Sequence, residues 1–276
     1  MAFYLAVNVE WFPAGRPAIS LFEATAGAGA DPLNYGWRDY GSRVGIWRLM
    51  EALDERRLPV SAPLNSAVCQ HYPQIVQAGT TRGWCWVAHG RDNSTFHTDM
   101  AEAEERALLH EMLEVITEAT GTRPQGWLGP ALTETFRTPS LLSEFGVRYV
   151  MDWCNDDEPY RLAVEPGPLI ALPYLCEVSD IPIFLWRGGS ADTFARAVID
   201  HFDRLYEEGA RRPSVMGLGV HPFLIGQPGR IGGLERALDH IASHPDVWLA
   251  TSDEIADWYI AGQLAVSGQV GARRND

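Results

Sequence analysis

FYLAVNVE, which occupies residues 3–10, is an apolar, strand-like run that ends on a carboxylate. Two later stretches have the same design, because WCWVAHG at residues 84–90 and VMGLGVHP at residues 215–222 each lead into a histidine. Parallel α/β folds place their chemistry at the carboxyl ends of their strands. The three terminal side chains therefore predict one shared active site in a parallel α/β fold.

Length and composition indicate a globular chain with a large core. The 276 residues are 46% hydrophobic and 21% charged. Strand and helix patterns alternate through most of them, which is typical of parallel α/β architecture. One domain over residues 1–265 and a flexible C-terminal tail over residues 266–276 are predicted. The Gly- and Pro-rich segment over residues 11–41 is expected to form a long loop.

The charge and the absence of targeting signals limit the expected partners. A net charge of −14 disfavours nucleic acid and anionic membrane surfaces because both would be repelled. No apolar run approaches the ~18 residues of a membrane span, and the N-terminus lacks the basic region of a signal peptide. We therefore expect a cytoplasmic protein that acts on a small molecule. The four cysteines form no Cys-x-x-Cys pair, which argues against structural zinc, and the expected cytosolic location argues against disulfides.

Seven short motifs follow one another in a specific order. They are NVE (8–10), DYGSRVGIW (39–47), AHG (88–90), GW (126–127), DDEPY (156–160), HP (221–222) and GQPGR (226–230). In this order the chain resembles the polysaccharide deacetylase family, also called carbohydrate esterase family four, over about residues 4–261. It is most similar to the branch that contains the cofactor-independent allantoinases. The resemblance implies a distorted parallel (β/α) barrel of about seven strands and a homo-oligomer.

The sequence departs from the metal-dependent members of this family at their metal ligands. Those members have two Asp residues after strand one, one as base and one as ligand, and a His-x-x-x-His pair after strand three. Asn8 and Glu10 stand at the two Asp positions, and Asn93 stands at the second His position. Neutral amides are weak ligands, and catalytic zinc normally takes three protein ligands from His, Asp or Glu. The expected enzyme therefore uses no cofactor.

Glu10, His89 and His221 are the candidate catalytic residues. Glu10 would act as general base, and the two histidines would polarise the carbonyl oxygen and protonate the leaving nitrogen. Without the several kcal/mol that a Lewis acid supplies, an activated amide is the expected substrate. The predicted activity is hydrolysis of a non-peptide C–N bond in a small cyclic amide of the allantoin or imide type. The candidate substrate-binding residues are Asn8, Trp127, Asp156 and Asp157.

Simpler structural roles compete with some of these assignments. Most of the ten tryptophans are expected to belong to the core, although Trp127 lies near a predicted strand end, and Asp156 and Asp157 fit a helix or turn cap equally well. A solvated loop histidine is the simpler interpretation of His97.

Two other functions stay open at this point. A metal-dependent N-deacetylase of an acetylated sugar would hold zinc or another divalent ion with Glu10, His89 and His97. A catalytically inactive barrel would bind a sugar or another small polar ligand. Stoichiometric metal whose removal abolishes activity would favour the first alternative, and ligand binding without turnover would favour the second.

Overall fold

The computed structural model describes residues 1–26, 28 and 30–272, and a parallel β-sheet lies at its centre. The described strands are β1 (Ala2–Val7), β2 (Val60–Leu64), β3 (Cys85–Ala88), β4 (Gly126–Trp127), β5 (Tyr149–Val150), β6 (Tyr160–Leu162), β7 (Leu169–Ala171), β8 (Val215–Val220) and β9 (Trp248–Leu249). Their order is β6-β7-β5-β4-β3-β2-β1-β8, and β9 pairs with the start of β1.

The sheet curls into a barrel, and β1 lies in its wall between β2 and β8. This strand pairs along its whole length with β8, ending at Val7↔Val220, and its second half pairs with β2. On the other side of β8, its residue Leu218 forms a parallel bridge with Leu175, which follows β7. This bridge connects the two ends of the curled sheet. Eight of the described strands, β1–β5 and β7–β9, thus run parallel, whereas β6 is antiparallel to β7. The predicted distorted parallel barrel of about seven strands is confirmed.

Helices cover the outside of this barrel because they carry apolar stripes. In the helix Ala191–Glu208, for example, Phe194, Val198 and Phe202 recur every four residues and are buried. None of the described helices is long and apolar enough to cross a membrane. The described helices are α1 (Pro32–Tyr40), α2 (Ile46–Arg56), α3 (Ser66–His71), α4 (Pro73–Thr81), α5 (Glu102–Thr120), α6 (Thr138–Glu144), α7 (Ala191–Glu208), α8 (Pro222–Ile225), α9 (Ile231–Ala242) and α10 (Ser252–Ala272).

One helix lies where the sequence predicts a loop. α1 forms inside the segment 11–41, and it begins at Asp31, whose side chain accepts a hydrogen bond from the backbone N of Asn34 at 3.2 Å. The guanidinium of Arg38 also donates to the carbonyl of Ile19 at 2.7 Å, so the helix is fixed to the preceding chain. These contacts are tertiary, and a pattern search along the sequence does not detect them.

The C-terminal segment includes a long helix. α10 begins with a capping box, in which Thr251 and Glu254 exchange hydrogen bonds. The helix then continues to Ala272, into the segment 266–276 that was expected to be a flexible tail. Residues 273–276 lie outside the described residues, so the tail stays a prediction there.

Both faces of the central strand are buried, as is usual in parallel sheets. All six residues of β1 are buried, with Phe3, Leu5 and Val7 in the larger apolar cluster and Tyr4 in a smaller one. Gly219 in β8 leaves room for the side chain of Tyr174, because a Cβ at position 219 would overlap the hydroxyl group of that tyrosine. This close approach places Tyr174 in the wall of a pocket at the carboxyl ends of the strands.

Candidate active site

The carboxyl ends of β1, β3 and β8 bring Glu10, His89 and His221 together. Nε2 of His89 lies 3.3 Å from Oε1 of Glu10, and Nε2 of His221 lies 3.6 Å from the same oxygen. The three residues are buried, with 8%, 2% and 7% of their surface exposed. The grouping follows from the topology, because β1 lies beside β8 and only β2 separates it from β3.

A backbone hydrogen bond fixes the tautomer of His89. Nδ1 lies 2.6 Å from the carbonyl oxygen of Leu128, and a carbonyl oxygen only accepts, so Nδ1 carries a proton. Nδ1 is therefore committed to the backbone, and Nε2 faces Glu10 in the pocket.

The turn after His89 requires a glycine. Gly90 has a φ of +66°, which side chains rarely adopt, and a Cβ there would overlap the ring of Pro130. The sharp turn ends β3 directly at the histidine and directs the chain away from the pocket.

Asp180 favours the charged form of His221. Oδ1 of Asp180 lies 2.7 Å from Nδ1 of the ring, and Oδ2 accepts a hydrogen bond from the backbone N of His221 at 2.7 Å. Burial opposes charge on the ring, but the carboxylates of Asp180 and Glu10 outweigh it and raise the pKa of His221 to about 8. At neutral pH the ring is therefore mostly an imidazolium, with a proton on the Nε2 that faces Glu10.

Two asparagines hold Glu10 in place. The side-chain amide of Asn93 donates to Oε1 of Glu10, and the amide of Asn65 donates to Oδ1 of Asn93 at 3.3 Å and to the carbonyl of His89. Oε2 of Glu10 is buried and has no hydrogen-bond partner among the described residues. A buried polar atom in this state is costly unless a ligand or water satisfies it. Oε2 is thus available to accept a proton from a nucleophile.

Asn8 has a similar free acceptor. Its Nδ2 donates to the hydroxyl of Tyr174 at 3.0 Å and to the carbonyl of Val220 at 3.2 Å. Its Oδ1 is buried without a partner in the described part of the chain. Since Asn8 lines the same pocket as Glu10, this oxygen can accept a hydrogen bond from a substrate N–H or a water.

A pocket of about 180 Å³ lies over these groups. Its volume is below the ~300–1,000 Å³ that is usual for sites of drug-sized ligands. Most of the remaining wall is apolar, and it includes Phe12, Ile19, Phe96, Leu128, Leu132 and Trp186.

Trp127 is a core residue and does not line this pocket. Its side chain is fully buried, and its ring makes an edge-to-face contact with His97 at 5.1 Å between ring centroids. The predicted role of Trp127 in substrate binding is therefore replaced by a packing role behind the site.

Asp156 and Asp157 also lie away from the pocket. Asp156 is exposed and accepts a hydrogen bond from the backbone N of Glu158 at 3.1 Å, which is the turn cap considered as its alternative role. The carbonyl oxygen of Asp157 accepts a hydrogen bond from the backbone N of Val215, which is the first residue of β8. His221 directly follows the last residue of the same strand. That strand spans ~20 Å, so the predicted substrate contact by Asp157 is corrected.

The alternative zinc ligands Glu10, His89 and His97 are not assembled. His97 is fully buried outside the pocket wall, and burial, together with the charges of His89 and Arg91, lowers its pKa to about 4. The pocket holds one carboxylate and two imidazoles, from Glu10, His89 and His221, but their ligand atoms do not all lie within 4.8 Å of one another, so they are not assembled as a zinc centre with three protein ligands. Within the described residues, three ligand atoms within 4.8 Å of one another occur in one group, Asp203, His240 and His244 on the outer helices.

Sequence reasoning missed Asp180, Asn65 and Tyr174. Asn65 follows β2 directly, so the strand-end rule that finds Glu10 would also have found it. Asp180 begins the short helical segment that continues into a π-helical turn, Pro182–Trp186, and no strand-end pattern marks it. Its contact with His221 is visible only in three dimensions.

No family model matches the chain, but curated relatives do. A Schizosaccharomyces pombe protein described as a "putative polysaccharide deacetylase" is 30% identical over 240 residues, which cover 81% of this chain and 75% of the relative. A peptidoglycan deacetylase of Helicobacter pylori is 25% identical over 257 residues, which cover 80% of this chain and 85% of the relative.

Solved structures are similar over nearly the whole barrel. A probable polysaccharide deacetylase from Pseudomonas aeruginosa has a TM-score of 0.84 at 30% identity, covering 93% of this chain and 89% of its own. The Puue allantoinase has a TM-score of 0.83 at 29% identity, covering 94% of this chain and 90% of its own.

Proposed function

The chain belongs to the polysaccharide deacetylase family and is a hydrolase of non-peptide carbon–nitrogen bonds. We propose that its substrate is a small cyclic amide, which it hydrolyses without a metal. The observation that carries this proposal is the environment of Glu10. Asn93 donates to Oε1 from the position of the family's second metal-binding histidine, and Oε2 is buried without a partner. A carboxylate held by an amide and imidazoles suits a general base.

Glu10 and His89 are arranged to bind a nucleophilic water. A water that donates one hydrogen to Glu10 and the other to Nε2 of His89 satisfies both acceptors and presents a lone pair to a carbonyl carbon. Glu10 takes the proton as the new C–O bond forms. In this proposal His89 positions the water, which differs from its expected role in polarising the carbonyl.

His221 then acts as the acid. Its imidazolium stabilises the negative charge that develops on the carbonyl oxygen. When the C–N bond breaks, the Nε2 proton passes to the leaving nitrogen. The proton taken up by Glu10 can return to His221, because Oε1 and Nε2 are 3.6 Å apart.

The size of the pocket and the type of catalysis support a small activated substrate. General acid and base groups supply roughly 10²–10⁴-fold each, which is a modest acceleration for an unstrained N-acetyl group. A cyclic ureide or imide is more reactive, and a single ring matches a pocket of about 180 Å³ better than a sugar chain does. The similarity to an allantoinase structure supports the same class.

The second candidate is a metal-dependent N-deacetylase of an acetylated sugar. The names of both curated relatives support it, whereas the donor set at the pocket does not. Family membership favours either enzyme over a barrel that only binds a ligand. The cytoplasmic location and the homo-oligomer stay predictions.

A substrate screen with a chelator tests the proposal. Purified protein is assayed against cyclic ureides and imides and against N-acetylated sugars, each with and without a strong chelator. We expect turnover of a cyclic amide that the chelator does not affect. Chelator-sensitive deacetylation, with no turnover of cyclic amides, would instead establish the second candidate.

A further inference from the structure

Asp203, His240 and His244 form a cluster on the outer helices, away from the active site. Asp203 lies in α7, His240 lies in the last turn of α9, and His244 follows four residues later. Each offers a ligand atom within 4.8 Å of the other two, and Nε2 of His240 lies 2.6 Å from Oδ1 of Asp203. We propose that this cluster binds a divalent transition-metal ion of the zinc type.

The ring of His244 is already oriented as a ligand. Its Nδ1 lies 2.8 Å from the carbonyl oxygen of His240, so Nδ1 carries the proton and Nε2 is left free. Metal-binding histidines usually make such a bond through their second nitrogen. Edge-to-face contacts with Phe202 at 5.0 Å and Tyr206 at 4.9 Å hold the ring in this position.

The surroundings of the cluster favour a cation that enters from solvent. Asp203 supplies a carboxylate, and the C-terminal turn of α9 adds the partial negative charge of its carbonyl groups. The side chains of Asp203 and His240 are 44% and 31% exposed, so an ion can replace the proton that they share. Water would fill the fourth position of a tetrahedral site. Imidazole ligands select zinc, nickel or copper over magnesium.

The position of the cluster assigns the ion a structural role. α7 ends at Glu208, before β8 begins at Val215, so the cluster lies at the amino-terminal end of the barrel strands. His221 and the pocket lie beyond the other end of β8. An ion here would join α7 to α9 and stabilise the folded state, since it binds the native chain and not the unfolded one.

Zinc binding and thermal unfolding of the whole chain test this proposal. The chain is dialysed against zinc, bound metal is measured by elemental analysis, and the melting temperature is recorded with zinc and with magnesium. We expect one zinc per chain at the cluster and a zinc-dependent rise in melting temperature. His244→Gln and Asp203→Asn should each weaken zinc binding by more than ~10-fold. Removing a residue that only hydrogen-bonds to a metal ligand already lowers metal affinity by at least about 10-fold.

Two control variants make the outcome specific. His110→Ala removes an exposed histidine on α5 and should leave zinc binding unchanged. His89→Ala should also retain the ion, because it alters only the active site. Equal zinc affinity in His244→Gln and the parent chain, or loss of the ion from His89→Ala alone, would overturn the proposal. The melting temperature without metal shows whether a variant is folded.

Discussion

Oδ1 of Asp180 lies 2.7 Å from Nδ1 of His221, and the other oxygen of the same carboxylate accepts a hydrogen bond from the His221 backbone. Two contacts from one side chain fix both the orientation and the charge of the imidazole. The pair links the start of a short helical segment after β7 to the end of β8, so the acid of the proposed reaction depends on two distant parts of the chain.

Asp180→Asn should shift the alkaline limb of the pH profile. In the parent enzyme, kcat/KM should fall as the pH rises through about 8, where His221 loses its proton. Removing the Asp180 charge lowers that pKa towards the ordinary value of ~6.5, so the limb moves to lower pH. Asp200→Asn, at an exposed site on α7, is the control. An unchanged limb in Asp180→Asn would contradict the assignment of His221 as the acid.

The same pKa makes stability depend on pH. The folded-state pKa of His221 is raised from 6.5 to about 8, so its stabilising effect is complete below pH 6.5 and is lost as the pH rises through about 8. The shift corresponds to about 2 kcal/mol. Urea unfolding at pH 6 and pH 9 measures it. The loss between the two pH values should be smaller in His221→Gln than in the parent chain, and an equal loss in both would argue against the raised pKa.

Glu10→Gln should lower kcat by at least ~10²-fold, because the variant lacks the general base. The amide is similar in size, so binding of substrate should change little and KM should stay close to that of the parent enzyme. Steady-state kinetics measure both constants, with Glu111→Gln on the exposed face of α5 as the control. Near-normal turnover in Glu10→Gln would rule out the proposed role.

The strand-end pattern predicted the site from sequence because topology alone decides where those residues meet. Glu10, His89 and His221 each follow a buried strand, and neighbouring parallel strands bring their ends together. Trp127 follows the same rule, yet its side chain points into the core. Alternation along a strand of only two residues is too short to show which face a side chain occupies.

Loops were less predictable for a different reason. Asp157 lies in an irregular segment and Asp180 directly follows one, and nothing in the spacing distinguishes the residue that reaches His221 from the residue at the far end of β8. The path of a loop depends on its tertiary hydrogen bonds. Resemblance to a family's motif placed Asp157 near substrate, and the hydrogen bond to Val215 places it elsewhere.

Asp157→Asn should therefore leave KM unchanged. The residue contacts Arg212 at 3.4 Å and Val215 through its carbonyl, and neither contact is near the pocket. An exposed ion pair of this kind contributes about 0–1 kcal/mol, so stability should also change little. Steady-state kinetics with the cyclic-amide substrate check this, and a KM raised several-fold would restore the original assignment of Asp157 to substrate binding.

Asn93→His should convert the pocket into a metal site. The Asn93 amide already reaches Oε1 of Glu10, and Nε2 of His89 lies 3.3 Å from that oxygen, so an imidazole at position 93 would complete a set of three ligands. The variant should bind zinc in the pocket, and zinc should inhibit its metal-free turnover by occupying Glu10.

Asn93→Ala is the matched control, since it loses the same hydrogen bond without gaining a ligand. Both variants are best made together with His244→Gln, so that zinc at the outer helices does not enter the measurement. Elemental analysis after dialysis should find pocket zinc in Asn93→His only. Equally little zinc in both variants would contradict the prediction. In that case the geometry of Glu10 and His89, and not the asparagine at position 93, distinguishes this site from the metal centres of its family.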